Sequence, residues 1–298
     1  MMQSTYKRSL VFAAVAAFGL AAHAADWSDT SIGYRTGSKY AEPFGPNDIK
    51  KNIFNLTHVS GYKYGTNFFN VDLLFSDSKD PSGVGSTSGA QEAYVVYRHT
   101  LDLEKVSGSS FKFGPVRGVG LTAGFDINAK SDAGYNSKKR MIVAGPTLMV
   151  DVPGFLNVSL LALWESNAPC NNYNLVAAPP TAACTSRYSY DTHAMLTAAW
   201  GIPLGTDTGF SFEGFANFIA SKGKNEFGGD TAAETNIDMQ VMYDMSGVVG
   251  AKPNSFKVGL EYQYWKNKFG NPTTASIGPG AGPGATAKTP MIRVEYHF

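Results

Sequence analysis

Apolar residues in this chain recur at every second position, in one segment after another. In residues 291–298, Ile292, Val294, Tyr296 and Phe298 share one face, while Arg293, Glu295 and His297 share the other. A period of two belongs to a strand whose two faces meet different surroundings. The same dyad runs through residues 67–76, where Phe69, Val71, Leu73 and Phe75 oppose Asn70, Asp72 and Leu74. It recurs in 92–102, 118–128, 156–165, 188–202, 236–245 and 256–266. Residues 30–37, 53–62 and 141–151 read as strands with apolar residues on both faces. With 210–221 the count reaches twelve.

The connections alternate in length. Short turns follow the even strands, at 63–66, 105–110, 152–155, 203–209 and 246–255. Longer Gly-, Ser-, Asn- and Pro-rich segments follow the odd ones, around 38–52, 77–90, 129–139, 166–187, 222–235 and 267–288. An even number of antiparallel strands with short turns at one rim and long loops at the other describes an outer-membrane β-barrel. Lipid offers no hydrogen-bond partner, so a closed sheet is the one strand architecture that satisfies every backbone group there. The expected fold is therefore all-β, a twelve-stranded antiparallel transmembrane barrel spanning residues 25–298. A secreted β-sandwich would need one dry core, whereas here one face carries charge on most strands.

Composition agrees. Charged residues are 16% of the chain, against roughly 25% in an average soluble domain. Mean hydropathy is only −0.15, as expected when outward apolar and inward polar residues cancel. Lys7 and Arg8, the apolar stretch 10–22 and Ala22-His23-Ala24 form a signal peptide over residues 1–24. The chain has 25 basic residues, two of them in that leader, and 24 acidic ones, so the mature protein is expected to carry a net charge of −1. That balance gives no footprint for nucleic-acid binding. The two cysteines, Cys170 and Cys184, are expected to form one disulfide closing a surface loop of an exported protein. They are too few for a metal site, and no cofactor is implied.

The inward face is the informative constellation. The dyad places Arg35, Asp72, Arg98, Asp102, Asp126, Glu165, Asp191, His193, Glu213, Asp238, Asp244, Lys257, Glu261, Arg293 and Glu295 there, with Phe68, Tyr94, Phe215 and Trp265. Of these, Asp72, Tyr94, Arg98, Asp126, Asp191, His193, Glu213, Asp238, Glu261, Trp265 and Arg293 are the candidate solute contacts. Rings can sandwich a planar solute while carboxylates and guanidinium groups pair with its hydroxyls. Acids outnumber bases on this face, which favours an open slot over a plug of ion pairs.

His58-Val59-Ser60 puts a base and a nucleophile on one face, the arrangement of a barrel phospholipase. Ser60 stands near the periplasmic end of its strand, however, and no acidic residue follows, so the expected protein is not an enzyme. Gly-rich strings at 83–89, 118–124 and 278–284 lack the strand-to-helix setting of a nucleotide fingerprint.

Residues 48–81 (DIKKNIFNLTHVSGYKYGTNFFNVDLLFSDSKDP), 89–101 (GAQEAYVVYRHTL) and Phe113-Gly114-Pro115 resemble the nucleoside-specific channel-forming, Tsx-like family of outer-membrane proteins. The likeness extends over most of the mature chain, although this chain has only four Trp. It implies a monomeric twelve-stranded barrel in outer-membrane lipid, with a narrow pore passing nucleosides by facilitated diffusion. It also implies outer loops that can serve as phage or bacteriocin receptors. The alternatives are a non-specific porin or a receptor or adhesin barrel with a closed lumen.

Overall fold

The computed structural model describes residues 25–43, 45, 48–83, 85–171, 183–273 and 283–298; the leader expected over 1–24 lies outside them. Twelve strands make one barrel. They are β1 (Trp27–Tyr40), β2 (Ile49–Tyr62), β3 (Gly65–Ser76), β4 (Gln91–Asp102), β5 (Val116–Ser131) and β6 (Arg140–Val150), followed by β7 (Phe155–Asn167), β8 (His193–Pro203), β9 (Phe210–Ile219), β10 (Glu234–Asp244), β11 (Phe256–Lys266) and β12 (Thr286–His297). Each pairs antiparallel with its sequence neighbours, and β12 returns to β1 through pairs such as Gly33 with Glu295 and Arg35 with Arg293. The twelve-stranded sheet thus closes on itself, so the barrel's ladder satisfies the backbone without help from solvent.

Both ends of the barrel sequence lie at one rim, with the five short turns. The long loops crowd the other. Cys170 and Cys184 are disulfide-bonded in the β7–β8 loop, where they also pair across a two-residue ribbon. That loop shortens one expected strand: Tyr188–Ser189 is a separate pair of residues hydrogen-bonded to β7, and β8 begins at His193. The turn after β4 holds a five-residue helix, α1 (Leu103–Ser107), which the period of two could not show. Asp102 caps it, its carboxylate accepting from the Glu104 amide at 3.0 Å and the Lys105 amide at 3.4 Å. Unpaired first-turn N–H groups favour such an acceptor.

The register assigns the two faces. Ile32, Leu56, Val71 and Val95 lie opposite one another across β1 to β4, and Gly33, Asn55, Asp72 and Tyr94 form the alternate row. The first row turns outward. Its counterparts Ile142, Leu160, Leu260 and Ile292 are 56–69% exposed, although they sit in the middle of hydrogen-bonded strands. A closed even-stranded barrel wearing an apolar outer wall is a protein of the bacterial outer membrane. A charge at the midplane of such a wall costs about 2–4 kcal/mol. The outward basic residues accordingly stand at strand ends, Lys50, Arg140, Lys266 and Lys288 on the loop side and exposed Arg117 at the turn-side end of β5.

The strands that carry apolar residues on both faces have a physical reason. Ile53 joins Tyr40, Ile49 and Met291 in a dry cluster inside the barrel, against Leu74. Val143 joins Leu161, Leu163 and Met195, with Met141 and Ile219 packed on them. Both clusters narrow the lumen.

Candidate functional site

The inward row carries nearly every charged residue assigned to it by the dyad. From the turn-side rim to the waist, β9 to β12 and β1 form a charged wall. His297 Nδ1 donates to Asp29 Oδ2 at 2.7 Å, and Nε2 lies 3.4 Å from Glu295. Arg293 donates to Glu295 through Nε at 2.7 Å and to Glu261 through its terminal nitrogen at 2.9 Å. Arg35 donates to Asp72 at 2.6 Å. Its Nε lies 3.3 Å from Glu261, an ion pair whose angles leave both atoms without a hydrogen bond. Gln263 donates to Asp238 at 3.1 Å, and Gln240 to Glu213 at 3.2 Å, with Lys257 3.4 Å from the same carboxylate.

The facing wall is different. Arg98 pairs with Asp126, to which the Tyr94 hydroxyl also donates at 3.4 Å. Next to this pair runs a hydroxyl row across four strands: Thr100 to Thr122 at 2.8 Å, Thr122 to Thr147 at 2.5 Å and Thr147 to Ser159 at 2.7 Å. The dyad placed Thr122 inward but could not reveal the row, which depends on the register of β4 to β7. Small residues flank it on the same face, among them Gly118, Gly120, Ala199 and Gly201. A charged wall thus confronts one that carries a hydroxyl row beside a single ion pair.

The loop-side half is filled. Lys51 on β2 and Lys130 on β5 meet Glu42, Asp80 and Asp132, three acids that arrive from loops, and Glu92 on β4. Glu42 is the hub. It binds Lys51, accepts from Lys268 at 3.0 Å and lies 3.7 Å from Lys130. Burial works against its ionisation, but Lys130, Lys268 and Lys51 outweigh that and hold its carboxyl well below the usual carboxylate range. A second knot centres on Glu165, which pairs with Lys139 and Lys222 at 2.8 Å each, with His193 4.0 Å away. Lys222 also lies 3.5 Å from Glu234. Lys51 and Lys222 are each only 1% exposed.

This corrects the expectation of an open slot. Acids do outnumber bases on the strand faces, but Lys139, Lys222 and Lys268 come from loops and complete the pairing. No periodicity marks a loop residue, so these three carried no signal in the sequence. Lys51, Lys130 and Glu234 were within reach: the strands run two to four residues further toward the loops than the clean dyads, and the extensions carry these charges.

The remaining expected site residues fall as follows. Trp265 faces inward and donates to Glu234 at 3.3 Å. Phe215 faces inward opposite Asp238. Asp191 is not on a strand: it stands exposed in the coil before β8, its carboxylate against Gly223, where a Cβ would lie 2.1 Å from Oδ2 and where φ is +78°. His193 is buried, and its Nδ1 donates to the Asp191 carbonyl at 2.8 Å. Asp244 organises the turn after β10, accepting from the amides of Ser246 and Asn254 at 2.9 Å each. His58 and Ser60 face outward, away from the lumen. His58 bonds Thr30 at 2.8 Å, while Ser60 meets Asn67 at 3.5 Å, so no base–nucleophile hydrogen bond joins them.

No family model and no curated protein matches the chain. Among solved structures it is similar to the KdgM porin, with 10% identity over 90% of this chain and 99% of that one and a TM-score of 0.41. It is also similar to the translocator domain of autotransporter NalP from Neisseria meningitidis, with 10% identity over 98% of each chain and a TM-score of 0.44. A third is OccK5 of Pseudomonas aeruginosa, with 10% identity over 92% of this chain and 98% of that one and a TM-score of 0.28.

Proposed function

We propose that this protein is an outer-membrane channel for small polar solutes, nucleosides among them, with a loop-side mouth closed by ion pairs in the conformation described. The observation that carries this reading is the pairing of unlike walls: guanidinium and carboxylate groups on β9 to β12 and β1 face the hydroxyl row of β4 to β7. A barrel built only for stability would gain more from an apolar filling than from buried ion pairs. Flat solutes bearing hydroxyl and amide groups find donors and acceptors on both sides. The resemblance of residues 48–81 and 89–101 to nucleoside channels adds the substrate class. Signal-peptide cleavage after Ala24 and a monomeric barrel belong to the same reading.

Transport needs weak, repeated contacts, because a channel that holds its solute tightly cannot release it. Added nucleoside is therefore expected to reduce single-channel current in planar bilayers with saturation. Arg98→Ala, which removes the cation from the Arg98–Asp126 pair, is expected to weaken that block about tenfold, the loss of one charge-assisted hydrogen bond. Sugars that block equally well would remove the nucleoside specificity, and an unchanged block in Arg98→Ala would displace the site.

The lumen also has a charge sign. From the turn-side rim to the waist, Arg35, Arg98, Lys257 and Arg293 face Asp29, Asp72, Asp126, Glu213, Asp238, Glu261 and Glu295. Rings of carboxylates select cations. In a KCl gradient the reversal potential is expected to lie toward that of potassium; a shift toward chloride would contradict this lining.

The filled loop-side half favours a second reading, a receptor or adhesin barrel whose lumen never opens. It predicts no conductance under any condition, together with binding of a phage, bacteriocin or other partner through the loops.

A further inference from the structure

The hydroxyl row does not stop at Ser159. Across the next strands the register carries it on through Thr197 on β8, Asn217 on β9 and Asn236 on β10, and it ends against Trp265 on β11. All of these face the lumen, and cross-strand neighbours of this kind hold their Cβ atoms about 5 Å apart. The two halves of the row differ in partnership. The hydroxyls of Thr100, Thr122, Thr147 and Ser159 bond one another in a chain. Thr197, Asn217 and Asn236 are only half-buried, and their side chains make no hydrogen bond among the described residues. The Asn236 carbonyl oxygen is shielded from solvent without a partner.

Stability does not account for this. One inward step toward the loops, the same β8 and β9 carry Met195 and Ile219, which pack with Leu161 in a dry cluster, so apolar side chains fit this wall. A shielded polar atom without a partner carries a cost that an apolar residue would avoid. Ion pairing does not use these groups either. The neighbouring inward carboxylates, Asp238 toward the turns and Glu234 toward the loops, already accept from Gln263 and Trp265. A carboxamide offers a donor and an acceptor side by side in one plane, the pattern with which asparagine meets the edge of a nucleobase. Phe215, two residues before Asn217 on the same face of β9, supplies a ring for the flat side of such a solute.

We propose that Thr197, Asn217 and Asn236 form the subsite that reads the ring edge of a flat solute, an adjacent N–H and C=O of a heterocyclic amide, while the solute's hydroxyls are left to the charged wall. This rests on the channel reading above and adds which part of the solute is discriminated. The subsite lies on the turn side of the dry cluster, clear of the loop-side ion pairs.

Ligand-observed NMR titration of the folded full chain in detergent tests it, with uridine, free uracil and ribose as probes. Uridine and uracil are expected to bind. The double variant Asn217→Ala/Asn236→Ala is expected to weaken both about tenfold, the loss of neutral hydrogen bonds, and to leave ribose unchanged. Thr197→Val keeps the side chain's shape and is expected to weaken uridine about threefold, so it reports on the subsite even if the double variant fails to fold. A parent barrel that binds neither uridine nor uracil would overturn the proposal, as would unchanged uridine affinity in the folded variants. An equal loss for uridine and ribose would also overturn it, because the amides would then serve sugar hydroxyls. Failure of the channel reading shows separately: uridine binding that falls in the variants, in barrels that carry no current in planar bilayers, would refute transport and leave the subsite standing.

Discussion

Glu42→Gln is expected to unlock the loop-side mouth and convert a mostly closed channel into a mostly open one. Glu42 is buried among three lysines and holds two loops, its own and that of Lys268, against strand residues Lys51 and Lys130. Neutralising it leaves Lys268 with a backbone carbonyl, that of Ala41 at 3.1 Å, in place of its carboxylate partner. Breaking a buried ion pair from one side costs about 3–5 kcal/mol. Set against the closed state alone, that is a shift of roughly two to four orders of magnitude in the closed-to-open ratio. Single-channel open probability reads it directly.

The pH dependence follows from the same residue. Its carboxyl is held below the usual carboxylate range, so the contribution of its charge to the closed state is complete at neutral pH and is lost only as pH falls through that depressed value. The mouth is expected to stay shut at about pH 4, where an ordinary carboxylate is half protonated, and to open in stronger acid. Opening with an ordinary carboxylate midpoint would assign the latch to another group.

Glu261→Gln is the second large effect, at the waist. The Glu261 side chain is wholly inaccessible and is shared by Arg35 at 3.3 Å and Arg293 at 2.9 Å. Without it, two guanidinium groups remain buried with Asp72 and Glu295 as their partners. The barrel is expected to lose about 3 kcal/mol of stability, the lower end for a broken buried pair because each arginine keeps one carboxylate. The lumen is expected to lose much of its cation preference. Thermal unfolding in detergent measures the first and the reversal potential the second. A stable variant with unchanged selectivity would mean that this pair neither supports the waist nor faces the permeation path.

The barrel was legible because two signals are strictly local. A period of two survives wherever one face meets lipid, and turn chemistry marks strand ends without reference to distant contacts. The inward assignments of Asp72, Arg98, Asp126, Glu213, Asp238, Glu261 and Arg293 followed from the dyad alone, since a strand offers only two faces. What the dyad could not supply was partnership. Arg35 and Asp72 are 37 residues apart, and Lys51 and Asp80 meet only because a loop folds back over the mouth. The closed loop-side half therefore lay beyond sequence reasoning, and so did the hydroxyl row, whose members come from four strands. His58 and Ser60 show the converse. Their spacing put them on one face, but only the register shows that this face looks at lipid.

Solute entry into liposomes tests the account most directly. Proteoliposomes bearing the wild-type barrel are expected to take up a nucleoside faster than protein-free liposomes, and those bearing Glu42→Gln faster still, since that variant removes the latch without touching the waist. Uptake by folded Glu42→Gln barrels no faster than by protein-free liposomes would show that the lumen is a plug and not a path.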